Sequence, residues 1–282
     1  MIRTALRHHA PTELAEAVAL LNTHAERAAV LGGGTMLVPR LTRGEVDLDH
    51  VIDLRRLGFG VATVAADSVH IGATVTYAQL LAASAFPGTA QLLQRVAGGI
   101  TGGPQIRCQG TICGSAAYAN PSTEVPAALV ALDATMHLHG PSGARTTPAA
   151  AFFLDAYRVD LRRGELLTGV TVAARAARLG YYKLKLAEGS WPIATAVAVL
   201  PPAGAGYTGA VVTLGAISTR PIRLDLAPVL DDAGRLPSDV DDWVAAQIGD
   251  PWDDELAPGG YRRMVAGVVL RRALHRGLEE NR

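Results

Sequence analysis

Three consecutive glycines, Gly32, Gly33 and Gly34, directly follow a short apolar run at positions 28–31. That run is too brief for a helix and is typical of a buried β-strand. Glycines lack a Cβ atom, so the chain can turn sharply there and line a concave surface with backbone N–H groups that bind an anion. The stretch is not a P-loop, because no Lys-Ser or Lys-Thr pair follows it. It is not a dinucleotide-binding fingerprint either, because Leu37 stands where the third glycine belongs. The stretch is either a plain tight turn or a phosphate-binding loop.

A second glycine loop at 110–115 favours the phosphate-binding loop over the plain tight turn. It reads Gly-Thr-Ile-Cys-Gly-Ser and also lies between short apolar segments. Two such loops in separate parts of the chain are suited to hold one cofactor that contains a pyrophosphate. Glu124 precedes the segment 124–133, which is predicted to be a buried helix. Its carboxylate either accepts hydrogen bonds from ribityl or ribose hydroxyls, or simply complements the dipole of that helix.

The length of 282 residues predicts two compact units and a smaller third. Residues 1–56 have the pattern of a small α/β unit, with a helix that begins near Pro11 and candidate strands at 28–31 and 51–54. Short alternating strands with helices between them follow up to residue 174. From residue 175, three strands are predicted at 181–186, 193–200 and 210–216, and two helices close the chain. Strands grouped before helices favour an α+β domain.

Charge and cysteine content exclude several classes of protein. The 26 basic and 26 acidic residues balance, which argues against a nucleic-acid-binding module. The arginines near the C-terminus, at 262, 263, 271, 272 and 276, are therefore expected on the solvated face of a helix. Two cysteines do not complete the four ligands of an iron–sulfur cluster. The sequence contains no secretory signal and no apolar run of about 18 residues, so a cytoplasmic protein without a membrane span is expected.

Other side chains that could take part in chemistry are expected to have ordinary structural roles. Cys108 and Cys113 are expected to be small buried hydrophobic residues rather than a redox pair. His137 and His139 share one strand face, which is predicted to be solvated rather than metal-binding because no further ligands are near in sequence. No nucleophile motif is present. The sequence therefore indicates no catalytic residue and no metal ligand.

Several motifs occur in a characteristic order along nearly the whole chain. They are the stretches at 32–39, 103–107, 110–115, 120–127, 164–168, 181–185 and 261–274. In sequence and spacing they resemble the FAD-binding (medium) subunits of the molybdenum hydroxylases, the family of carbon-monoxide dehydrogenases and xanthine dehydrogenases. The resemblance implies an α+β fold. It further implies a two-part FAD-binding module of the vanillyl-alcohol-oxidase (PCMH) type, with subdomains 1–56 and 57–174. A C-terminal α+β domain would follow at 175–282, with a three-stranded antiparallel sheet and helices.

The resemblance also implies FAD as the cofactor and assigns residues to it. The two loops would wrap the pyrophosphate, Glu124 would contact the ribityl chain, and Leu167 and Lys183 would lie near the isoalloxazine. There Lys183 would favour negative charge on the reduced flavin. The implied cofactor-binding residues are Gly32, Gly33, Gly34, Thr35, Met36, Leu37, Val38, Thr111, Ile112, Cys113, Gly114, Ser115, Glu124, Leu167 and Lys183.

The implied function is electron transfer within a complex. A large subunit would carry molybdopterin and a small subunit a [2Fe–2S] cluster, assembled as a dimer of heterotrimers. Electrons would pass through FAD on this chain to NAD, a quinone or oxygen. The sequence specifies neither the substrate nor the acceptor.

This chain departs from the family pattern at a few positions. Met36 replaces a residue that is often polar, and Cys113 and Ser115 stand for the more usual glycine and asparagine. These departures suggest one alternative, a flavin-free structural subunit. A free-standing FAD oxidoreductase on the same scaffold is the other alternative. Trp191 lies where relatives often carry an acidic-aromatic pair, and it either shields one flavin face or packs in the core.

Overall fold

The computed structural model describes residues 5–279, and the first sheet is a parallel one of three strands. The strands β1 (Arg7–His9), β2 (Ala28–Leu31) and β3 (His50–Asp53) lie in the order β1-β3-β2. The helices α1 (Leu14–His24) and α2 (Leu37–Arg43) connect them. The predicted helix and strands are present. All four residues of β2 are only half-buried, however, because this strand lies at the sheet edge.

The second sheet is antiparallel and has five strands in the order β4-β5-β10-β6-β7. Its members are β4 (Ala62–Val64), β5 (Ser68–Gly72), β6 (Thr135–Gly140), β7 (Gly143–Pro148) and β10 (Leu166–Ala173). A separate two-stranded pair consists of β8 (Phe153–Asp155) and β9 (Arg158–Val159). The helices of this part are α3 (Tyr77–Ala82), α4 (Gln91–Gly99), α5 (Gly103–Gln109), α6 (Ile112–Tyr118), α7 (Val125–Ala131) and α8 (Ala149–Phe152).

The third sheet is antiparallel and contains four strands, one more than the sequence predicted. They are β11 (Arg178–Lys185), β12 (Pro192–Leu200), β13 (Val211–Gly215) and β14 (Ile222–Asp225), in that order. The extra strand β14 is a short edge strand whose alternating Ile-Arg-Leu-Asp pattern is hard to separate from a turn. Two helices, α9 (Val240–Ala246) and α10 (Gly259–Glu279), complete this part. The α+β class is confirmed.

Arg262 corrects the prediction of a fully solvated arginine face on α10. Its side chain is completely buried. The guanidinium donates to the carbonyl oxygen of Ala216 at 2.7 Å and forms an ion pair with Asp254. A buried guanidinium needs all of these acceptors, because an unpaired buried charge is costly. Arg272 and Arg276 are exposed as predicted.

Two hydrophobic cores organise the chain. The larger core joins the first two sheets, with Leu21 of α1 and Ile52 of β3 on one side and Met136 of β6 and Val170 of β10 on the other. The smaller core packs α10 and α9 on the third sheet. The predicted boundaries near residues 56 and 174 stay predictions, and residues 1–4 and 280–282 of the predicted ranges lie outside the described residues. Within 5–279, no helix is both long and apolar enough to cross a membrane.

Candidate functional site

The first glycine loop connects β2 to α2 and packs directly on the backbone before the second loop. A Cβ atom built on Gly33 would lie 1.9 Å from the carbonyl oxygen of Gln109, the last residue of α5. Only glycine allows this approach. Gly34 has φ +73°, which is a left-handed conformation that side chains rarely adopt. The glycines are thus required by the local geometry.

The backbone of this first loop presents a run of free donors. Across residues 5–279, the N–H groups of Gly33, Gly34, Thr35, Met36 and Leu37 find no protein acceptor, whereas the N–H of Val38 donates to the Gly34 carbonyl at 3.0 Å. Consecutive unpaired N–H groups form a concave, positively polarised surface that attracts anions. This part of the loop is therefore suited to bind phosphate oxygens.

The second loop is the start of a helix rather than an irregular loop, which corrects the prediction for residues 112–115. Thr111 is the N-cap of α6, and its Oγ1 accepts from the N–H of Gly114 at 2.8 Å. A Cβ on Gly114 would lie 2.7 Å from that oxygen, so glycine makes the cap possible. Short polar residues are common both at helix N-caps and in turns. The sequence of this segment therefore resembles that of a loop.

Helix α3 fixes the position of the second loop. The N–H of Tyr77 donates to the carbonyl of Gly110 at 3.0 Å, and its hydroxyl lies 2.5 Å from Oγ of Ser115. Burial raises the pKa of Tyr77 well above its ordinary value, so its phenol stays protonated. Thr76 begins α3 with a capping box that includes Gln79. Two hydrogen bonds therefore join α3 to this loop.

Both glycine loops line one cleft, as the proposal of a shared cofactor requires. The cleft has a volume of about 250 Å³, just below the ~300–1,000 Å³ of sites that enclose a whole small ligand. A cleft of this volume has room for one section of an extended ligand. The predicted site residues in its lining are Gly32, Gly33, Gly34, Thr35, Met36, Leu37, Thr111, Cys113, Gly114, Ser115 and Leu167.

Four predicted site residues lie outside this lining. Val38 is exposed, and Ile112 is fully buried. Glu124 and Lys183 form an ion pair with each other, with side chains that are 4% and 8% exposed. The ammonium of Lys183 also donates to the carbonyl of Gly99 at 2.9 Å. These two charges thus stabilise one another in the interior between α7 and β11.

The charged side chains in the cleft leave its electrostatics favourable to an anion. In the described lining, Arg40 is the one basic residue and Glu165 the one acidic residue. Arg145 donates to both carboxylate oxygens of Glu165 at 2.7–2.8 Å and holds the pKa of Glu165 below its usual value. The negative charge of Glu165 is therefore neutralised by its partner. Arg40 lies over the ring of Tyr118, 6.0 Å from its centroid.

A second, more open recess lies on the other side of the Tyr118 ring. It is lined by Asn120, Tyr157, Gly189, Trp191, Asp254, Glu255 and Leu256. Tyr118 lines the cleft and Tyr157 lines the recess, and their rings contact edge to face with centroids 5.2 Å apart. Trp191 is 38% exposed, which excludes a place in the core.

Sequence reasoning missed several residues of the cleft, including Arg40, Tyr118 and Glu165. Arg40 and Tyr118 lie within five residues of the glycine loops, and proximity to those loops is the signal that would have found them. Glu165 stands within the motif at 164–168, but its pairing with Arg145 depends on the sheet register. The expectation for the cysteines holds for Cys113, whose pKa burial raises to about 12, and is wrong for Cys108, which is exposed on α5.

Two loops of free amides around one cleft define a protein that binds a phosphorylated cofactor. Comparison with known proteins then specifies the family. Residues 4–174 match the model of the FAD binding domain in molybdopterin dehydrogenase. The chain belongs to this family. The resemblance predicted from the motifs is confirmed, and with it FAD as the cofactor and an oxidoreductase subunit as the class.

Individual relatives are similar to this chain over most or nearly all of its length. The carbon monoxide dehydrogenase medium chain of Afipia carboxidovorans is 33% identical over 98% of each chain. The glyceraldehyde dehydrogenase medium chain of Sulfolobus acidocaldarius is 28% identical over 86% of this chain and 88% of its own length. Among solved structures, the carbon monoxide dehydrogenase of Hydrogenophaga pseudoflava superposes with a TM-score of 0.90, at 30% identity over 99% of both chains.

The residues present fit the diphosphate of FAD. The unpaired N–H groups of residues 33–37 supply donors, and the N–H of Cys113 in the first turn of α6 also finds no acceptor within the described part of the chain. The hydroxyl of Ser115 and the guanidinium of Arg40 add polar groups to the same lining. Met36 lines the cleft as well, and it contributes its unpaired backbone N–H although its side chain is apolar.

Proposed function

We propose that this chain is the FAD-bearing electron-transfer subunit of a molybdenum-containing hydroxylase or dehydrogenase. The observation that carries the proposal is the single cleft shared by residues 32–37 and 111–115, with its run of unpaired amides. FAD accepts and releases electrons singly or in pairs, which suits a place between a one-electron iron–sulfur relay and an acceptor outside the complex. The protein binds and orients this group and tunes its electrostatics.

The residues of the two loops are proposed to hold the diphosphate. The amides of the first loop bind it from one side, and Thr111 keeps the first turn of α6 in place on the other. Leu167 is 6% exposed and contributes apolar wall to the same cleft. An apolar wall excludes water, which strengthens the hydrogen bonds of the free amides to an anion.

Glu124 and Lys183 are proposed to act as a pair near the ribityl and ring portion of the cofactor. Glu124 follows the second loop closely in the chain, at the N-cap of α7, the helix after α6. The two side chains form an ion pair in the interior, where either charge alone would be costly to bury. Glu124 retains acceptor capacity for a ribityl hydroxyl, and the positive charge of Lys183 is balanced by that carboxylate.

The partners are proposed to be a small [2Fe–2S] subunit and a large molybdopterin subunit, in a dimer of heterotrimers. Two cysteines do not supply the four ligands of a cluster, so the relay requires another chain. Relatives that match nearly the whole chain are named medium chains or subunits. We further propose subdomain 1 up to residue 56, subdomain 2 at 57–174 and a C-terminal domain from 175, each with its own sheet.

Titration of the flavin-depleted full chain with FAD tests the cofactor assignment. We expect one FAD per chain and much weaker binding of riboflavin, which lacks the phosphates that the loops hold. A colourless protein that does not bind FAD would instead support the flavin-free structural subunit. Turnover of a small molecule by the isolated flavin-loaded chain would support the free-standing oxidoreductase.

Co-purification from the native source tests the place in a complex. We expect the chain to elute with two further polypeptides and with molybdenum, iron and flavin in the same fraction. Elution of the flavin-loaded chain alone, with neither metal, would contradict the partner assignment and leave the FAD assignment intact.

A further inference from the structure

Tyr77 is buried directly behind the second glycine loop. It is 2% exposed and belongs to the first turn of α3. A Cβ on Gly110 would lie 2.9 Å from its ring, so the ring packs closely against the loop backbone. The ring and the hydroxyl therefore have separable roles: the ring packs, and the hydroxyl contacts the cleft residue Ser115.

The surroundings of the Tyr77 hydroxyl determine which atom donates. Across residues 5–279, its one hydrogen-bond partner is Oγ of Ser115, at 2.5 Å. A buried hydroxyl hydrogen requires an acceptor, and a serine oxygen has two lone pairs to offer. Burial also raises the pKa of Tyr77, so the hydrogen is retained. The phenol is therefore the donor and the serine oxygen the acceptor.

The hydrogen of the Ser115 hydroxyl is then free for another acceptor. Within the described residues, Oγ of Ser115 has no second protein partner, and Ser115 is half-buried in the lining of the cleft. We propose that Tyr77 is a positioning residue that turns the Ser115 hydroxyl hydrogen toward an anionic phosphate oxygen of the bound cofactor. The inference rests on the proposed FAD site and adds a polarised donor chain from Tyr77 through Ser115 to the ligand.

Such a chain strengthens the final hydrogen bond. A hydroxyl that accepts one hydrogen bond becomes a better donor in the next, and a bond to a charged oxygen is stronger than one to a neutral oxygen. The contribution of Tyr77 therefore depends on Ser115 and on a phosphate. A role of the Tyr77 ring in packing alone would depend on neither.

A double-mutant cycle tests this dependence. The dissociation constants of FAD and riboflavin are measured by calorimetry for the flavin-depleted full chain and for the variants Tyr77→Phe, Ser115→Ala and the double substitution. We expect Ser115→Ala to weaken FAD binding about 10-fold or more and Tyr77→Phe about 3- to 10-fold. The double variant should match Ser115→Ala alone, and riboflavin binding should change less than about 2-fold throughout.

Several outcomes overturn the inference. One is that the fold-losses of FAD affinity in the two single variants multiply in the double variant. Another is that riboflavin and FAD lose affinity equally. The third is that Tyr77→Phe leaves FAD affinity unchanged. If wild type itself fails to bind FAD, the proposed function fails first. Ser115→Thr keeps a hydroxyl and should recover most of the affinity.

A fluorinated tyrosine at position 77 covers the case in which Tyr77→Phe does not fold. It keeps the hydroxyl and makes the phenol a stronger donor, so FAD should bind about 2-fold more tightly. Unchanged or weaker FAD binding would overturn the inference.

Discussion

Gly33 and Gln109 lie in backbone contact, such that a Cβ atom on the glycine would be 1.9 Å from the glutamine carbonyl oxygen. The contact brings the loop after β2 against the residue that precedes the second loop. Gln109 ends α5, so the contact joins the loop after the first sheet to a helix of the second part of the chain. The position of one loop therefore depends on the backbone of the other.

Gly33→Ala should separate the two loops. Because backbone atoms rather than a flexible side chain occupy the space, the loops must move, at a cost of about 1–3 kcal/mol. Calorimetry should show at least a 10-fold loss of FAD affinity, and urea unfolding should show the reduced stability. Gly260→Ala is the matched control, because no atom lies within 4 Å of its added Cβ. Wild-type FAD affinity in Gly33→Ala would mean that the contact does not shape the site.

Removing one member of the Glu124–Lys183 pair should lower the free energy of unfolding strongly, whereas replacing both members should lower it much less. Both side chains are nearly fully buried. Glu124→Gln or Lys183→Met alone should lower the free energy of unfolding by about 3–5 kcal/mol, because the remaining charge is left unpaired. The double variant should recover much of this loss in urea unfolding.

An exposed ion pair provides the comparison for that experiment. Arg235 and Asp231 are 79% and 43% exposed at 2.8 Å, so Arg235→Ala should cost about 0–1 kcal/mol. Additive losses in the Glu124→Gln/Lys183→Met double variant would show that the two buried charges do not stabilise each other.

A histidine stack should make the first sheet sensitive to acid. The rings of His24 and His50 are parallel with centroids 3.7 Å apart, and His9 Nε2 lies 2.8 Å from His50 Nδ1. Burial, His24, His9 and Arg7 lower the pKa of His50, and only Asp49 acts in the opposite direction. Below the ordinary histidine value of about 6.5, the unfolded chain binds a proton that the folded chain resists. Stability should therefore fall as the pH drops through this window.

His50→Gln should flatten that dependence. Urea unfolding between about pH 7.5 and pH 5.5 should show a smaller loss of stability in the variant than in wild type. His275→Gln is the control, since His275 is 71% exposed on α10 beside Glu279. An unchanged slope in His50→Gln would show that the stack does not control the acid sensitivity.

The sequence predicts the parts of the site that depend on local chemistry. Gly33, Gly34 and Thr111 are residue types whose backbone freedom or capping ability is visible without a structure. Val69 and Ile71 alternate with polar neighbours in β5, and Thr76 caps α3, so these elements also have local signals in the sequence. The shared cleft follows from the two loops once both are recognised.

What the sequence does not predict depends on long-range packing. The pairing of Glu124 with Lys183 joins residues 59 positions apart, and no local pattern indicates it. The burial of Arg262 depends on acceptors from β12 and from the loop at Asp254. Tyr77 has the sequence pattern of an ordinary apolar helix residue, and its contact with Ser115 becomes visible only when α3 and α6 pack together.

Hydrogen exchange of the full chain with and without FAD is the most direct measurement of the central claim. The unpaired amides of residues 33–37 should exchange quickly in the flavin-depleted chain and slowly once FAD is bound. Peptides that cover 111–115 should gain protection at the same FAD concentration. Protection of only one of the two segments, or of neither, while FAD is bound would contradict a single cofactor held between them.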